Sequence, residues 1–469
     1  MKITPWLIAL LITAGVLNTG SYPSPAKYPI FTESLKPVIP AQPDSSVVSP
    51  RRIADAQILA DKFLQKEYGA FMEKFDAAMK GALPLEKLQQ ARESLDERLG
   101  AFQKQLGIRA EKYQQFDVIY VTWQFAAMTI DFKLIINSSG QIAGMFFVPA
   151  QSGVAYVAPA YVKPNAYQER EITIGTDEWA LPGTLTTPAG SGPFPAVVLI
   201  HGSGPNDRDE TVGANKPFRD LAWGLASKGI AVLRYEKRTK YHAARYTPAI
   251  IAKLTVKEET MDDALAAVAM LRQTPGIDPA RIFVLGHSLG GMLLPRIAVA
   301  DPKISGLIIL AGPTRPLEDL ALDQFRYISA LDSTISSQEK IFMDTLSVQV
   351  ARLKDPQLSP DTPAATLPLG LPANYWLDLR AYNPAETAGK LKQPTLILQG
   401  GRDYQVTRVD LDGWKSTLAA HSNVQFKLYP DLNHLFITGA GKSTPAEYGI
   451  AGHVTEQVIT DIAQWIFKL

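Results

Sequence analysis

Ser288 sits at the centre of Gly286-His287-Ser288-Leu289-Gly290. A nucleophilic serine on a sharp strand-to-helix turn needs this arrangement. Glycines two residues before and after it remove side chains that would collide in the turn. The N-terminus of the following helix favours developing negative charge. The pattern alone is weak. With Gly and Ser each near 7% of residues, it arises by chance at ~0.0003 per position, or in about one chain in seven of this length. Its partners must decide.

A serine becomes a nucleophile only beside a base. The chain has six histidines. If the order is nucleophile, acid, base, the candidates are His421, His434 and His453. His421 closes the helix before the last predicted strand, and His453 opens the terminal helix. His434, in "LYPDLNHLF", lies just beyond the C-terminal end of that strand, where open parallel sheets carry their sites. It is the expected base. Asp403, in "PTLILQGGRDYQV", is the expected acid, holding the imidazole in its tautomer and stabilising the imidazolium. Asp410 and Asp412 fall on the next helix, and Asp431 shares the loop of His434.

An oxyanion needs two backbone donors. The expected pair is the N–H of Leu289, directly after the nucleophile, and that of Ser203, in the loop "HGSGPNDRDE". His201 and Ser203 stand two residues apart, cannot easily face each other, and read as loop structure. His287 is adjacent to the serine but is not its expected partner. "NDRDE" (Asn206 to Glu210) and "YEKR" (Tyr235 to Arg238) bring opposite charges to the same sheet edge. They predict an ion-pair network that orders the pocket wall without chemistry of its own.

The elements that must position these groups follow from hydrophobic periodicity. Strands are expected at "REITIG", "LPGTLTTP", "PAVVLIHG", "GIAVLRYE", "RIFVLGHS", "SGLIILAG", "PTLILQGG" and "VQFKLYPD", mostly separated by helices such as Phe218 to Ser227 and Thr260 to Arg272. Continuous apolar strands alternating with helices make a mostly parallel, doubly wound α/β sheet buried on both faces. The first two strands are more polar and close in sequence, as in an antiparallel edge hairpin. Some eighty residues, Pro313 to Gln393, separate two of the later strands. So long an insertion predicts a helical cap over the site, about 313–390. Pro295, inside the helix after Ser288, is a mild objection to that helix. In the cap, Tyr375 and Trp376 are candidates for the pocket wall, although core packing explains each one alone.

Upstream, residues 51–150 read as a small α+β domain. Two helices are followed by a meander of "FDVIYVTWQF", "AAMTIDFKLIIN" and "QIAGMFFVPA". No acid–base constellation stands out in it. Residues 151–170 read as a linker and 171–469 as the α/β domain. Residues 27–50 are a Pro/Ser-rich tether. Residues 1–26 carry Lys2 and then an apolar run from about Trp6 to Leu17, short for a membrane span and matching a signal-peptide core. The other reading is an uncleaved N-terminal anchor. Both place the bulk of the protein outside the cytoplasm, in the periplasm or beyond.

Composition narrows the function classes. A net charge of +1 gives no electrostatic reason to expect nucleic acid. With no cysteine in the chain, disulfides, thiolate metal sites and cysteine nucleophiles are excluded. The P-loop pattern Gly-x-x-x-x-Gly-Lys-[Ser/Thr] is missing from the loops named above. The chemistry sketched calls for no cofactor or metal.

The motifs "HGSGPNDRDE", "NKPFRDLAWGLASKGIAVLRYEKRTK", "GHSLGG", "LQGGRDYQV", "DLNHLF" and "STPAEY" are similar to those of bacterial α/β-hydrolase-fold esterases of the EstD type. The resemblance covers residues from about 165 to 469, roughly two thirds of the chain. It implies an α/β-hydrolase fold and a carboxylesterase acting on short-chain acyl esters, with Ser288, Asp403 and His434 at the family's triad positions. Residues 51–150 are similar to a small domain that often precedes such hydrolases in exported proteins. Other readings stay open at this level: an acyl thioesterase or serine peptidase on the same fold, or an exported binding protein with a vestigial site.

Overall fold

The computed structural model describes residues 48–469 except 114, 127–128, 151–155, 332–334 and 336. The expected signal segment or anchor and most of the tether lie outside the described residues. The chain divides into two compact units between Gly153 and Val154.

The described residues of the first unit begin with four helices, Pro50–Leu64, Tyr68–Met72, Ala77–Ala82 and Leu85–Leu99. A four-stranded antiparallel meander follows: β1 (Phe102–Tyr113), β2 (Phe116–Phe125), β3 (Thr129–Ile136) and β4 (Ile142–Pro149). The last three are the expected strands. β1 was not anticipated, because "FQKQLGIRAEKY" is an edge strand with no fully buried residue and so carries little apolar alternation. The core is aromatic. Trp123, Phe132 and Phe63 stack from the sheet to the first helix, with Trp123 and Phe132 centroids 4.7 Å apart.

The second unit holds an eight-stranded sheet: β5 (Tyr167–Ile174), β6 (Leu181–Pro188), β7 (Phe194–Ile200), β8 (Ala231–Tyr235), β9 (Ile277–His287), β10 (Gly306–Leu310), β11 (Thr395–Gly400) and β12 (Val424–Tyr429). Its spatial order is β12-β11-β10-β9-β7-β8-β6-β5. β7 to β12 pair in parallel, whereas β5–β6 and β6–β8 pair antiparallel, giving the expected edge hairpin. Every residue of β8, β10 and β11 is buried. Apolar clusters cover both faces, as a sheet packed between two helical layers demands. Chain order reverses at β7, since β8 lies on one side of it and β9 on the other. The loops after β7 and β9 therefore open into the crevice at a topological switch point.

The stretch read as a linker is partly packed on this unit. Tyr161 donates its hydroxyl to the Val454 carbonyl at 2.7 Å, and the Lys163 N–H donates to Ser227 Oγ at 2.9 Å. The segment between β10 and β11 carries helices Leu317–Ser329, Ser337–Leu353, Ala373–Arg380 and Pro384–Ala388. Pro295 lies inside the helix Leu289–Ala300 without ending it.

Candidate active site

Ser288 sits between β9 and the helix Leu289–Ala300 with φ 53° and ψ −120°. A left-handed φ on a non-glycine residue costs about 1–3 kcal/mol and persists only where its surroundings impose it. Here the Ser288 N–H donates to the Leu310 carbonyl at 2.9 Å, and the Ser288 carbonyl accepts the Met292 N–H at 3.0 Å. The two glycines explain themselves. A Cβ on Gly286 would run into the backbone of Gly290 and Gly291, and one on Gly290 into the carbonyls of Ile200 and His201.

His434 and Asp403 meet in the crevice. His434 Nδ1–H donates to Asp403 Oδ2 at 2.7 Å, and both side chains are buried. The other carboxylate oxygen, Oδ1, accepts the N–H groups of Gln405 and Val406 at 2.8 and 2.9 Å. Gln399 Nε2 also donates to Oδ2, at 3.2 Å. The carboxylate is thus fixed in plane by four donors, and the imidazole is left with Nε2 as its acceptor. Among the described hydrogen bonds none links Ser288 to His434. Nucleophile–base bonds are characteristically loose before substrate binds.

The other histidines separate by environment. His421 follows the helix Arg408–Leu418, and His453 pairs with Asp220 at 3.2 Å. Asp410 lies on that same helix and is paired with Arg315. His201 is buried between the rings of Phe218 and Tyr235, and its Nε2–H donates to the Asp207 carbonyl at 3.0 Å. It is loop structure, as its spacing from Ser203 implies.

Burial pushes the His201 pKa down to about 4. The folded state thus refuses a proton that the unfolded chain binds below about pH 6.5. Stability is therefore expected to fall as pH drops from about 6.5 toward 4, by ~3 kcal/mol from this residue. Urea unfolding across that window should show a steeper pH slope in wild type than in His201→Gln. Equal slopes would refute the assignment.

Two residues in the site were not anticipated as functional. His287 Nε2–H donates to the main-chain carbonyl of His434 at 3.0 Å, and His287 Nδ1 faces Glu210 Oε2 at 2.9 Å. Burial lowers the His287 pKa, but the Glu210 charge overcomes it and the net value is raised. Burial likewise raises the Glu210 pKa, and His287 brings it below the usual carboxylate range. Both shifts favour the charged forms, and through its bond to the His434 carbonyl His287 braces the backbone of the base. Only the adjacency of His287 to the serine hinted at this in sequence.

A narrow cleft opens on Ser288, with about 600 Å³ of atom-free space including its solvent mouth. It is lined by Ser203 and Leu289 and, from the insertion, by Leu317, Leu320, Leu371 and Tyr375. The insertion therefore does roof the site. Tyr375 reaches the cleft wall, while Trp376 is buried in the core cluster. Outside the cleft, Arg208 bridges Glu171 and Glu236, and Arg234 bridges Asp209 and Glu169. The expected ion pairs form, but away from the cleft, so they do not order its wall.

Parallel sheet, strained serine turn, buried His–Asp pair and roofed apolar cleft together define an α/β hydrolase. Comparison agrees. Residues 197–448 match the model of the "Alpha/beta hydrolase family", and residues 56–145 match a "Protein of unknown function (DUF3887)". The chain is 41% identical to the esterase EstD of Thermotoga maritima over 84% of its own length and 92% of the relative's. It is 22% identical to a putative carboxymethylenebutenolidase of Methylorubrum extorquens, over 66% of this chain and 86% of that one. A solved structure, Est1E from Butyrivibrio proteoclasticus, aligns with 64% of this chain and 99% of its own at 16% identity and a TM-score of 0.41. The chain belongs to the α/β-hydrolase family and, within it, to the family of the esterase EstD.

Proposed function

We propose that the chain hydrolyses short-chain carboxylic esters through an acyl-enzyme on Ser288. The hydrogen bond between His434 Nδ1 and Asp403 is the observation that carries this reading, since it leaves Nε2 free to accept a proton while Ser288 stands on a strained turn. His434 takes the proton of Ser288 as Oγ attacks the acyl carbonyl. The oxygen that becomes negative is held by the N–H groups of Ser203 and Leu289. Collapse of the adduct breaks the ester C–O bond, and the alcohol leaves with the proton carried by His434. Water, deprotonated in turn by His434, attacks the acyl carbon; the bond from that carbon to Ser288 Oγ breaks, Oγ recovers the proton from His434, and the acid is released.

The donors have support. Leu289 is the first residue of its helix, so its N–H has no partner one turn back. Among the described hydrogen bonds the Ser203 N–H has no acceptor. The Gly202 N–H, by contrast, is taken by Glu210 Oε1 at 2.6 Å. Aliphatic cap residues close over a short acyl chain and favour an apolar acid moiety. We also propose that the protein is exported, on the strength of Lys2 and the apolar run that follows it.

Rates on matched acetyl ester, acetyl thioester and peptide substrates test the reaction class, with fluorophosphonate labelling mapped to its residue. The esterase reading expects the ester to be preferred and Ser288 to be labelled. Preference for the thioester or peptide would move the chain to another acyl-transfer class. An unlabelled Ser288 would make it a binding protein with a vestigial site.

A further inference from the structure

Not all of the charge predicted along the pocket wall faces outward. Lys237, from the "YEKR" segment, points into the protein and is 2% exposed. Its ammonium donates to the Gly202 carbonyl at 2.7 Å and pairs with Glu259 Oε1 at 2.6 Å. Glu259 lies in a π-helical turn, Lys257–Met261, an irregularity often found at functional sites. Its other oxygen accepts the hydroxyl of Tyr375, in the cap, at 2.6 Å. An unbroken buried chain thus runs from the roof of the cleft, through two charges, to one peptide group.

That peptide group is Gly202–Ser203. Its carbonyl belongs to Gly202 and its N–H to Ser203. In a planar trans peptide the two point in opposite directions. A cation that fixes the carbonyl therefore fixes the N–H on the far side. Gly202 packs against the nucleophile, since a Cβ placed on it would lie 3.2 Å from Ser288 Cβ. Asn206 pulls the same way. Its Nδ2 donates to the carbonyls of Gly202, Ser203 and Gly204 at 3.3, 3.1 and 3.3 Å.

We infer that Lys237 is a positioning residue for the oxyanion hole: it clamps the Gly202 carbonyl so that the Ser203 N–H faces the substrate oxygen. Glu259 holds Lys237 in place and ties the clamp to the cap through Tyr375. This rests on the esterase reading above. It assigns chemistry to a buried ion pair that a solely structural network would not need. Burying two charges is expensive, and replacing such a pair with neutral groups is often neutral for stability. The cost is understandable where the cation orients, and polarises, a catalytic peptide.

The test uses the full chain. Lys237→Met alone would strand the Glu259 charge and risks misfolding. The informative variant is Lys237→Met with Glu259→Gln, which neutralises both partners. Active sites are counted by fluorophosphonate titration, and thermal midpoints are recorded. A positioning role predicts a 10–100-fold fall in kcat per titrated site with KM changed less than threefold. It also predicts an equal loss of affinity for an alkyl trifluoromethyl ketone, whose serine adduct carries the oxyanion. A merely structural role would shift the thermal midpoint and leave both quantities unchanged. That result overturns the proposal.

Tyr375→Phe removes a single hydroxyl and decides the matter should the double variant not fold. It is expected to lower kcat about three- to tenfold with a matching loss of ketone affinity. Wild-type values of both would overturn the clamp. If the wild-type chain itself neither reacts with the fluorophosphonate nor binds the ketone, the esterase reading fails first and takes the clamp with it.

Discussion

Replacing Ser288 by alanine is expected to lower kcat on p-nitrophenyl acetate by about 10⁵-fold or more while leaving the fold intact. The magnitude follows from removing a nucleophile that acts as a unit with its base. Such losses reach ~10⁶ in kcat, and the residual rate comes from the oxyanion donors and binding alone. The fold should survive because the turn is held by backbone hydrogen bonds, from the Ser288 N–H to Leu310 and from Met292 to the Ser288 carbonyl, not by the hydroxyl. Circular dichroism and thermal midpoint measure the second half of this expectation. Because background ester hydrolysis is easily misread, the control is loss of the acyl burst. A variant that keeps more than about a hundredth of wild-type kcat, with a burst, would mean that another residue carries the acyl group.

The second large effect is expected at Asp403. Asp403→Asn is nearly isosteric, yet no orientation of its amide satisfies the site. If the amide oxygen stays toward Gln405 and Val406, the NH₂ faces His434 Nδ1 and forces the proton onto Nε2. The imidazole then has no lone pair for the serine proton. If the amide flips, its NH₂ meets the N–H groups of Gln405 and Val406, two donors against a donor. Wrong-tautomer substitutions of this kind cost about 10⁴ in kcat. The expected result is a loss of 10³–10⁴ near pH 7, recovered in part at high pH. A loss under tenfold would show that His434 does not depend on Asp403. Since Gln399 also donates to Oδ2, Asp403→Ala should be less stable than Asp403→Asn.

The two effects would be nearly non-additive in a double variant, because each removes the same proton-transfer step. The clamp at Lys237 acts on a different step, stabilising the oxyanion rather than moving the proton. Its loss should therefore be the same at every pH at which the wild-type enzyme turns over. This contrast separates the two sets of residues in one pH–rate experiment.

Several features of the protein were fixed by local sequence. All eight strands of the second unit were legible: the central parallel strands are continuous apolar runs, and the edge hairpin β5–β6 and edge strand β12 are recognisable by alternation. The turn at Ser288 was legible because only glycine fits at 286 and 290, where a Cβ would strike backbone. His434 and Asp403 were reachable because topology puts loops that follow parallel strands at one edge, whatever the intervening length. The polar edge strand β1 was not, since its residues lack the apolar alternation that marks a buried face.

Tertiary structure alone decided the partners of Glu210, Lys237 and His287. In sequence, a Glu or Lys in "NDRDE" or "YEKR" reads as part of an ion-pair network without chemistry, because such side chains are seldom fully buried unless paired. Whether they are paired depends on which distant loops converge. Lys237 needs Glu259, Glu259 needs Tyr375 from the cap, and His287 needs Glu210 and the backbone of His434. No periodicity or motif encodes these meetings. They arise because the loops after β7, β8 and β9 and the cap close on one crevice. There these side chains are buried, and Lys237 and His287 lie 2.6 and 2.9 Å from the carboxylates of Glu259 and Glu210.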